Sequence, residues 1–472
     1  MARLHRTQRR GRAGKIDAMN ADGLTTAANA ADRVYRTVAS VLGVPAAELS
    51  DESSPETLPA WDSLNHLNLV VALEGEFGIS LTPEDAMEMR TVGSIHAILG
   101  NNGVEVGPKP AFIDCQESQL DEVRAFFART YRPNYRLATD EALLRWQYGP
   151  TPASPERPCH LKLAWLDGVL AGCLGYIPLD VSLNGRVVNG TWVANWMVEE
   201  HQRRLGLGPF LMREVARQFE VALDLGANAD AHSLLSRMGW QDMGDLPRYV
   251  CVLDCAGAAA LTENGQLEWP SATPPQGIEL GRQTSVKLVD RFDEGATELW
   301  DSTWGVKGSL AGGTRRSAEF LNWRYAIHPV FKYQLFEVRK NGRLRGIAVY
   351  HVEQVRDLPV RVGRLVELIL DVKHPSDADT CLLKAVLDDA RSQGVAVMDF
   401  FCASHRLSGV MARHGFLPGQ NEPASRIPML FQPVDRRRSG IRFMVNLGNV
   451  PEAAEVQDWY VTKSDGDQDR PN

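Results

Sequence analysis

The sequence predicts a multidomain chain in which one small all-α bundle is followed by two α/β (α+β) domains with mixed sheets. Three observations carry that prediction. Apolar residues between Ala30 and Gly100 recur at helical spacing in stretches broken by glycine and proline. Beyond residue 111 a set of landmarks occurs twice, 174–177 residues apart. Aperiodic segments over 104–111 and 256–277 separate these blocks and read as linkers.

In the first block, residues 26–103, Val34, Val38, Val41 and Leu42 mark an amphipathic helix that Gly43 and Pro45 end. A loop rich in Ser, Pro and acids runs to Trp61. Leu64, Leu67, Val70, Val71 and Leu73 then mark a second helix, stopped by Gly78, and Val92 to Leu99 a third, stopped by Gly100. The charge is concentrated here. The whole chain of 472 residues has 51 basic and 59 acidic residues and a net charge of −8. Residues 26–103 hold eleven acids and three bases, which accounts for the entire imbalance. The remainder is balanced, so composition does not suggest a broad basic face for nucleic acid and no nucleic-acid partner is expected; the acidic module is expected to meet a basic partner surface.

The two later blocks, 112–255 and 278–433, resemble each other. Leu144-Arg145-Trp146-Gln147-Tyr148 matches Leu321-Asn322-Trp323-Arg324-Tyr325, and each is followed by strand, turn and strand: Leu161 to Ile177 in one, Tyr333 to Tyr350 in the other. Later, Arg237, Gly239 and Trp240 match Arg413, Gly415 and Phe416. Residues 434–472 lack periodicity and are expected to form a solvated tail. Asp465, Asp467 and Asp469 alternate as in the opening of a calcium loop, but the glycine and closing glutamate of such a loop are absent, and no metal site is expected. Seven scattered cysteines without CxxC spacing fit a reducing cytoplasm. No apolar run approaches the roughly 18 residues of a membrane span. The basic first residues lack the apolar core of a signal peptide, so 1–25 is expected to be a disordered leader.

Two constellations carry chemistry. In Trp61-Asp62-Ser63-Leu64-Asn65-His66-Leu67 a serine opens a helix, where unpaired N–H groups favour an anion such as a phosphodiester on the Ser63 hydroxyl. The simpler reading is a helix cap. Over its full length, however, this block resembles an acyl carrier protein, a four-helix bundle. The resemblance implies a 4′-phosphopantetheine arm on Ser63, installed by a phosphopantetheinyl transferase and charged by an acyl-activating or acyl-loading enzyme. His66 is expected to be a surface residue.

The second constellation is Val198-Glu199-Glu200-His201-Gln202-Arg203-Arg204-Leu205-Gly206-Leu207-Gly208-Pro209, between an apolar strand and a helix. Glycines let backbone N–H groups approach phosphate oxygens, Pro209 suits a first helical turn and Arg203 adds charge. This order resembles the pyrophosphate loop of GNAT-superfamily N-acyltransferases, over about Phe112 to Leu253. The resemblance implies that Val198, Arg203, Arg204, Gly206, Leu207, Gly208 and Asn228 hold coenzyme A or a pantetheine arm. Leu235 stands where the family often has a protonating tyrosine. Glu199 and His232 are the remaining acid–base candidates. The second copy has His374-Pro375-Ser376-Asp377 in place of the glycine loop and is expected to be degenerate.

The function expected is N-acyl transfer of acetyl or another acyl or aminoacyl group, from a pantetheine thioester on the carrier or on coenzyme A to a small-molecule, sugar or amino-acid amine. Two alternatives stay open: loading of the chain's own carrier from acyl-CoA, with or without decarboxylation, and a non-catalytic carrier-docking scaffold. Arg203 and Arg204 are the basic residues expected to meet the acidic carrier.

Overall fold

A computed structural model describes residues 33–104, 110–166, 168–270, 283–305, 307, 310–373, 377–436, 440–448 and 456–469; the expected leader lies outside them. The chain divides into two compact units, one holding Met1–Asp114, Lys162–Leu174 and Trp196–Arg213, the other the remainder. The helical block contains α1 over 33–42, α2 (Ser63–Phe77), α3 (Pro83–Glu88) and α4 (Val92–Asn101). Then come β1 (Ala111–Asp114), α5 (Leu120–Thr130), α6 (Arg136–Thr139), α7 (Glu141–Tyr148), β2 (Leu161–Leu166), β3 (Val169–Leu183) and β4 (Arg186–Val198). They are followed by α8 (Leu207–Ala216), β5 (Val221–Leu225), α9 (Ala229–Arg237), β6 (Gln241–Asp245) and β7 (Arg248–Val252).

After α10 (Cys255–Ala259), much the same order recurs. It runs β8 (Thr284–Val289), α11 (Gly295–Thr303), β9 (Gly312–Thr314), α12 (Ala318–Leu321), β10 (Gln334–Lys340), β11 (Arg343–Gln354) and β12 (Arg361–Leu370), then α13 (Asp377–Ser392), β13 (Val395–Phe401), α14 (Ser408–Arg413) and β14 (Leu417–Pro418). The short strands β15 (Leu430–Phe431) and β16 (Val434–Asp435) precede β17 (Arg442–Asn446) and β18 (Trp459–Tyr460).

In the first unit the helical spacing read from the sequence becomes a core. Val34, Val38 and Leu42 of α1 meet Leu69 and Leu73 of α2 and Val92, Ile95, Ile98 and Leu99 of α4, with Trp61 and Met89 closing the ends. Asp62 starts α2 by accepting the Asn65 N–H at 2.8 Å, and Gly78, at φ 65°, stops it. Thr82 and Thr91 cap α3 and α4 with reciprocal capping boxes. His66 departs from the expected surface role. Its Nδ1 accepts from the Trp61 indole at 3.1 Å, so Nε2 carries the proton and donates to the Ala86 carbonyl at 2.8 Å. It braces the start of α2 against α3.

The second unit contains a seven-stranded sheet ordered β14-β7-β13-β12-β11-β10-β8, antiparallel except for the β12–β13 pair. Two strands pair outside the block in which they lie. β7, from the first, pairs with β13 of the second, while β17, from the end of the chain, lies between β5 and β6 of the first. The matched tryptophans meet as well: Trp146 and Trp323 stack with centroids 5.1 Å apart and planes 17° apart, and the Trp146 indole donates to the Trp323 carbonyl.

The expected solvated tail is contradicted. Trp459 to Asp465, Asp467 and Asp469 are all buried. The alternation that looked like a calcium loop is explained by partners that make burial of carboxylates affordable. Asp465 pairs with the fully buried Arg316 at 2.6 Å and accepts from Thr314; Asp469 pairs with His351 at 2.9 Å and accepts from Tyr333. Against the burial that opposes its charge, His351 and Arg324 hold the Asp469 carboxyl below the ordinary range. Nor is the segment after residue 255 a bare linker: Ala258 and Leu261 join a core with Val250, Val362 and Val397.

Candidate functional site

Ser63 is the first residue of α2 and is exposed. Asp62 occupies the cap position with its own carboxylate, so the helix end already holds one anion, and the Ser63 hydroxyl faces solvent, as attachment of an arm requires. Beside it, Leu64, Leu67 and Val71 form an apolar stripe, each more than 60% exposed.

The glycine loop lies in the same unit. A 3-10 turn over Glu200–Leu205 ends at Gly206, whose φ of 71° only glycine adopts freely, and α8 starts at Leu207. Val198 ends β4, and its carbonyl accepts from the exposed Arg203 at 3.3 Å; of Arg204 only the backbone, within the turn, is described. Leu207 and Gly208 are buried. Gly172 of β3 lets the backbone of β4 and Leu211 of α8 approach: a Cβ there would lie 3.4 Å from the Met197 carbonyl oxygen and 3.2 Å from Leu211.

The carrier's α4 packs against this turn. A Cβ on Gly93 would lie 3.2 Å from Leu205, and one on Gly206 would lie 3.7 Å from the Cβ of Ser94. Phe210 of α8 is buried in the carrier core and contacts Phe112, with centroids 5.7 Å apart. Among the described side chains, Arg213 makes a charged contact with Glu88, at 3.1 Å. Burial raises the Glu88 carboxyl above its ordinary pKa, against the pull of Arg213. Spacing alone pointed to the arginines of the loop; further along the chain, in α8, Arg213 faces Glu88.

The acid–base candidates have other partners. Glu199 donates its backbone N–H to the Ala171 carbonyl, and its side chain is half-buried. His232 is paired through Nε2 with Asp242 at 2.8 Å. Asn228 caps α9 by accepting the Ala231 N–H, and Leu235 is fully buried.

A group that sequence reasoning missed lies where the β4–β5 ladder ends, at the Val193–Asp224 pair. Two residues on, Asn195 adopts φ 53°, a left-handed conformation uncommon outside glycine. Its amide is fixed by Tyr135 and Tyr148, each at 2.5 Å, and it donates to Asp467 of the buried tail at 3.3 Å. Asp224 itself reaches solvent in part, but its Oδ2 is buried without a hydrogen-bond partner. Burial first, and then the Asp467 charge, push its carboxyl up to about 7, despite an N–H from Ala227. The available signal was one acid in the apolar run Val221-Ala222-Leu223-Asp224-Leu225.

Among the described residues no helix is long and apolar enough to cross a membrane. Residues 32–99 match the phosphopantetheine attachment site family, and residues 120–240 match the acetyltransferase (GNAT) family. Similar solved structures include a GCN5-related N-acetyltransferase from Anabaena variabilis ATCC 29413 (10% identity, 72% of this chain and 73% of that one, TM-score 0.47). Another, from Kribbella flavida, has 14% identity over 72% and 71% of the two chains, TM-score 0.43. Saccharomyces cerevisiae N-myristoyltransferase with bound myristoyl-CoA has 12% identity over 74% and 88%, TM-score 0.43. With an exposed serine at the head of α2 in one matched region and a glycine loop between strand and helix in the other, the chain joins a phosphopantetheine carrier domain to an acyltransferase domain of the GNAT family.

Proposed function

We propose that the chain transfers an acyl group from the thioester on its own carrier, attached at Ser63, to an amine acceptor. The two similar blocks are read as copies of one domain, of which the first is active. The observation that supports this most is the contact of α4 with Leu205 and Gly206, which puts the carrier against the glycine loop. A tethered donor works at an effective concentration in about the millimolar range, provided the arm spans the distance. Pantetheine would supply the thiol that carries the acyl group as a thioester.

In the transfer the amine nitrogen bonds to the acyl carbon and the carbon–sulfur bond breaks. The amine gives up a proton and the sulfur leaves as thiolate, to be protonated to thiol. Of the acid–base candidates, Glu199 follows directly on Val198 at the end of β4, beside the glycine loop, and takes the role of base.

Ser63→Ala tests the carrier role. Turnover with the carrier-borne donor should disappear, with the arm absent from the intact mass; unchanged turnover would sink the reading. Glu199→Gln tests the base, and we expect kcat to fall about 10²–10⁴-fold. Asp224, in the other unit, is read through stability. A carboxyl whose pKa is raised from 3.8 to about 7 on folding keeps a proton that the unfolded chain loses, so its contribution to stability declines as pH rises across that window. Asp224→Asn should therefore be, at pH 8, more resistant to thermal unfolding than the parent.

A further inference from the structure

Around the glycine loop, the Cα sides of three glycines are faced closely by other parts of the protein. The open side of Gly206 faces Ser94 of α4 and the Phe210 ring, 3.7 and 3.9 Å from where a Cβ would lie. The open side of Gly208 faces the Trp196 indole at 3.3 Å, and that indole donates to the Gly208 carbonyl at 3.0 Å. Leu205, at the end of the turn, touches Gly93. A group laid against the side of Gly206 that faces Ser94 would need room now held by the first turn of α4. Apolar burial and charge both hold α4 there: Phe210 lies in the carrier core, and Arg213, stacked over the Phe210 ring at 4.7 Å, reaches Glu88. Elsewhere on the bundle's surface, Ser63 and the stripe of Leu64, Leu67 and Val71 stay exposed, so this contact does not consume the attachment site.

We propose that the glycine loop is the seat of the chain's own carrier, and that while the carrier is docked through α4 the loop is closed to free coenzyme A. This inference rests on the reading that Ser63 carries the donor, and it adds a substrate class: the arm on Ser63 has a single phosphodiester and needs no pyrophosphate cradle, whereas coenzyme A does. The docked carrier thus selects carrier-borne acyl groups over soluble acyl-CoA. Coenzyme A gains access to the loop in proportion to the fraction of undocked molecules, which scales its apparent affinity by that fraction.

The test is calorimetric titration of coenzyme A into the full chain carrying Ser63→Ala, so that no arm competes. Ser94→Trp, which adds bulk and no charge where Gly206 leaves 3.7 Å, should tighten coenzyme A binding by about fivefold or more. Leu67→Trp puts the same bulk on the exposed face of α2 and should leave binding at the parent value. Amide exchange gives an independent reading: residues 205–208 should exchange slowly in the parent and faster in Ser94→Trp, including where that variant loosens the carrier as a whole. Equal coenzyme A affinity in the parent and Ser94→Trp, or fast exchange of 205–208 in the parent, overturns the proposal. Neither measurement involves turnover, so the loop can fail as a seat while transfer from Ser63 stands, and the reverse.

Discussion

Two helices of the carrier, α2 and α4, are both apolar and are used in opposite ways. In α2 the buried residues are Leu69 and Leu73, and Leu64, Leu67 and Val71 face solvent beside Ser63. In α4, eight residues are buried, because one side packs into the bundle and the first turn packs on the glycine loop. An apolar stripe left open beside the attachment point suits partners that come and go, as a phosphopantetheinyl transferase or a loading enzyme must. A helix buried on two sides suits a lasting contact. The carrier therefore has a back that stays and a face that trades.

The largest effect should come from Ile98→Ala in α4, with a loss of about 2–5 kcal/mol in urea-induced unfolding of the carrier, since the side chain is 1% exposed. A loss as small as that of a surface variant would break the contrast. Next is Leu67→Ala in α2. Stability should change by no more than about 0.5 kcal/mol, while phosphopantetheinylation, followed by intact mass, slows about tenfold if Leu67 anchors the partner. The smallest is Glu88→Gln. Removing this partly buried pair should weaken α4-side protection by about 0.2–1 kcal/mol, measured as faster amide exchange over 205–208. Burial raises the Glu88 pKa, so the charge of the pair is lost, as pH falls, sooner than that of an ordinary glutamate.

What was legible in the sequence was local. Ser63 at a helix start, the stop at Gly78 and the glycines between β4 and α8 are each written within a few residues, by capping, left-handed backbone and helical period. The acidic excess in residues 26–103 also marked a module, and its basic counterpart is present. Which arginine supplies it was not legible, because Arg203 and Arg213 differ by position on a turn and a helix rather than by type. The tail was misread for a related reason. Asp465, Asp467 and Asp469 look like solvent-facing residues by composition. The burial of Asp465 and Asp469 depends on Arg316, Arg324 and His351, more than a hundred residues away, and no window of sequence contains both halves. The pairings of β7 and β17 escaped notice likewise, since each strand pairs with strands distant in sequence.

The pairing of β17 sets a timetable for making the protein. A ribosome delivers β5 and β6 long before β17, the strand that joins them, and Asp467 comes later still. The first α/β block thus leaves the exit tunnel with a gap in its sheet, bare strand edges on both sides of it and an incomplete carboxyl cluster, and it stays so until the second block has been made. A message cut short anywhere before residue 442 would yield a carrier with no finished enzyme beside it, and production of the chain should depend on chaperones that shield those edges until its last segment arrives.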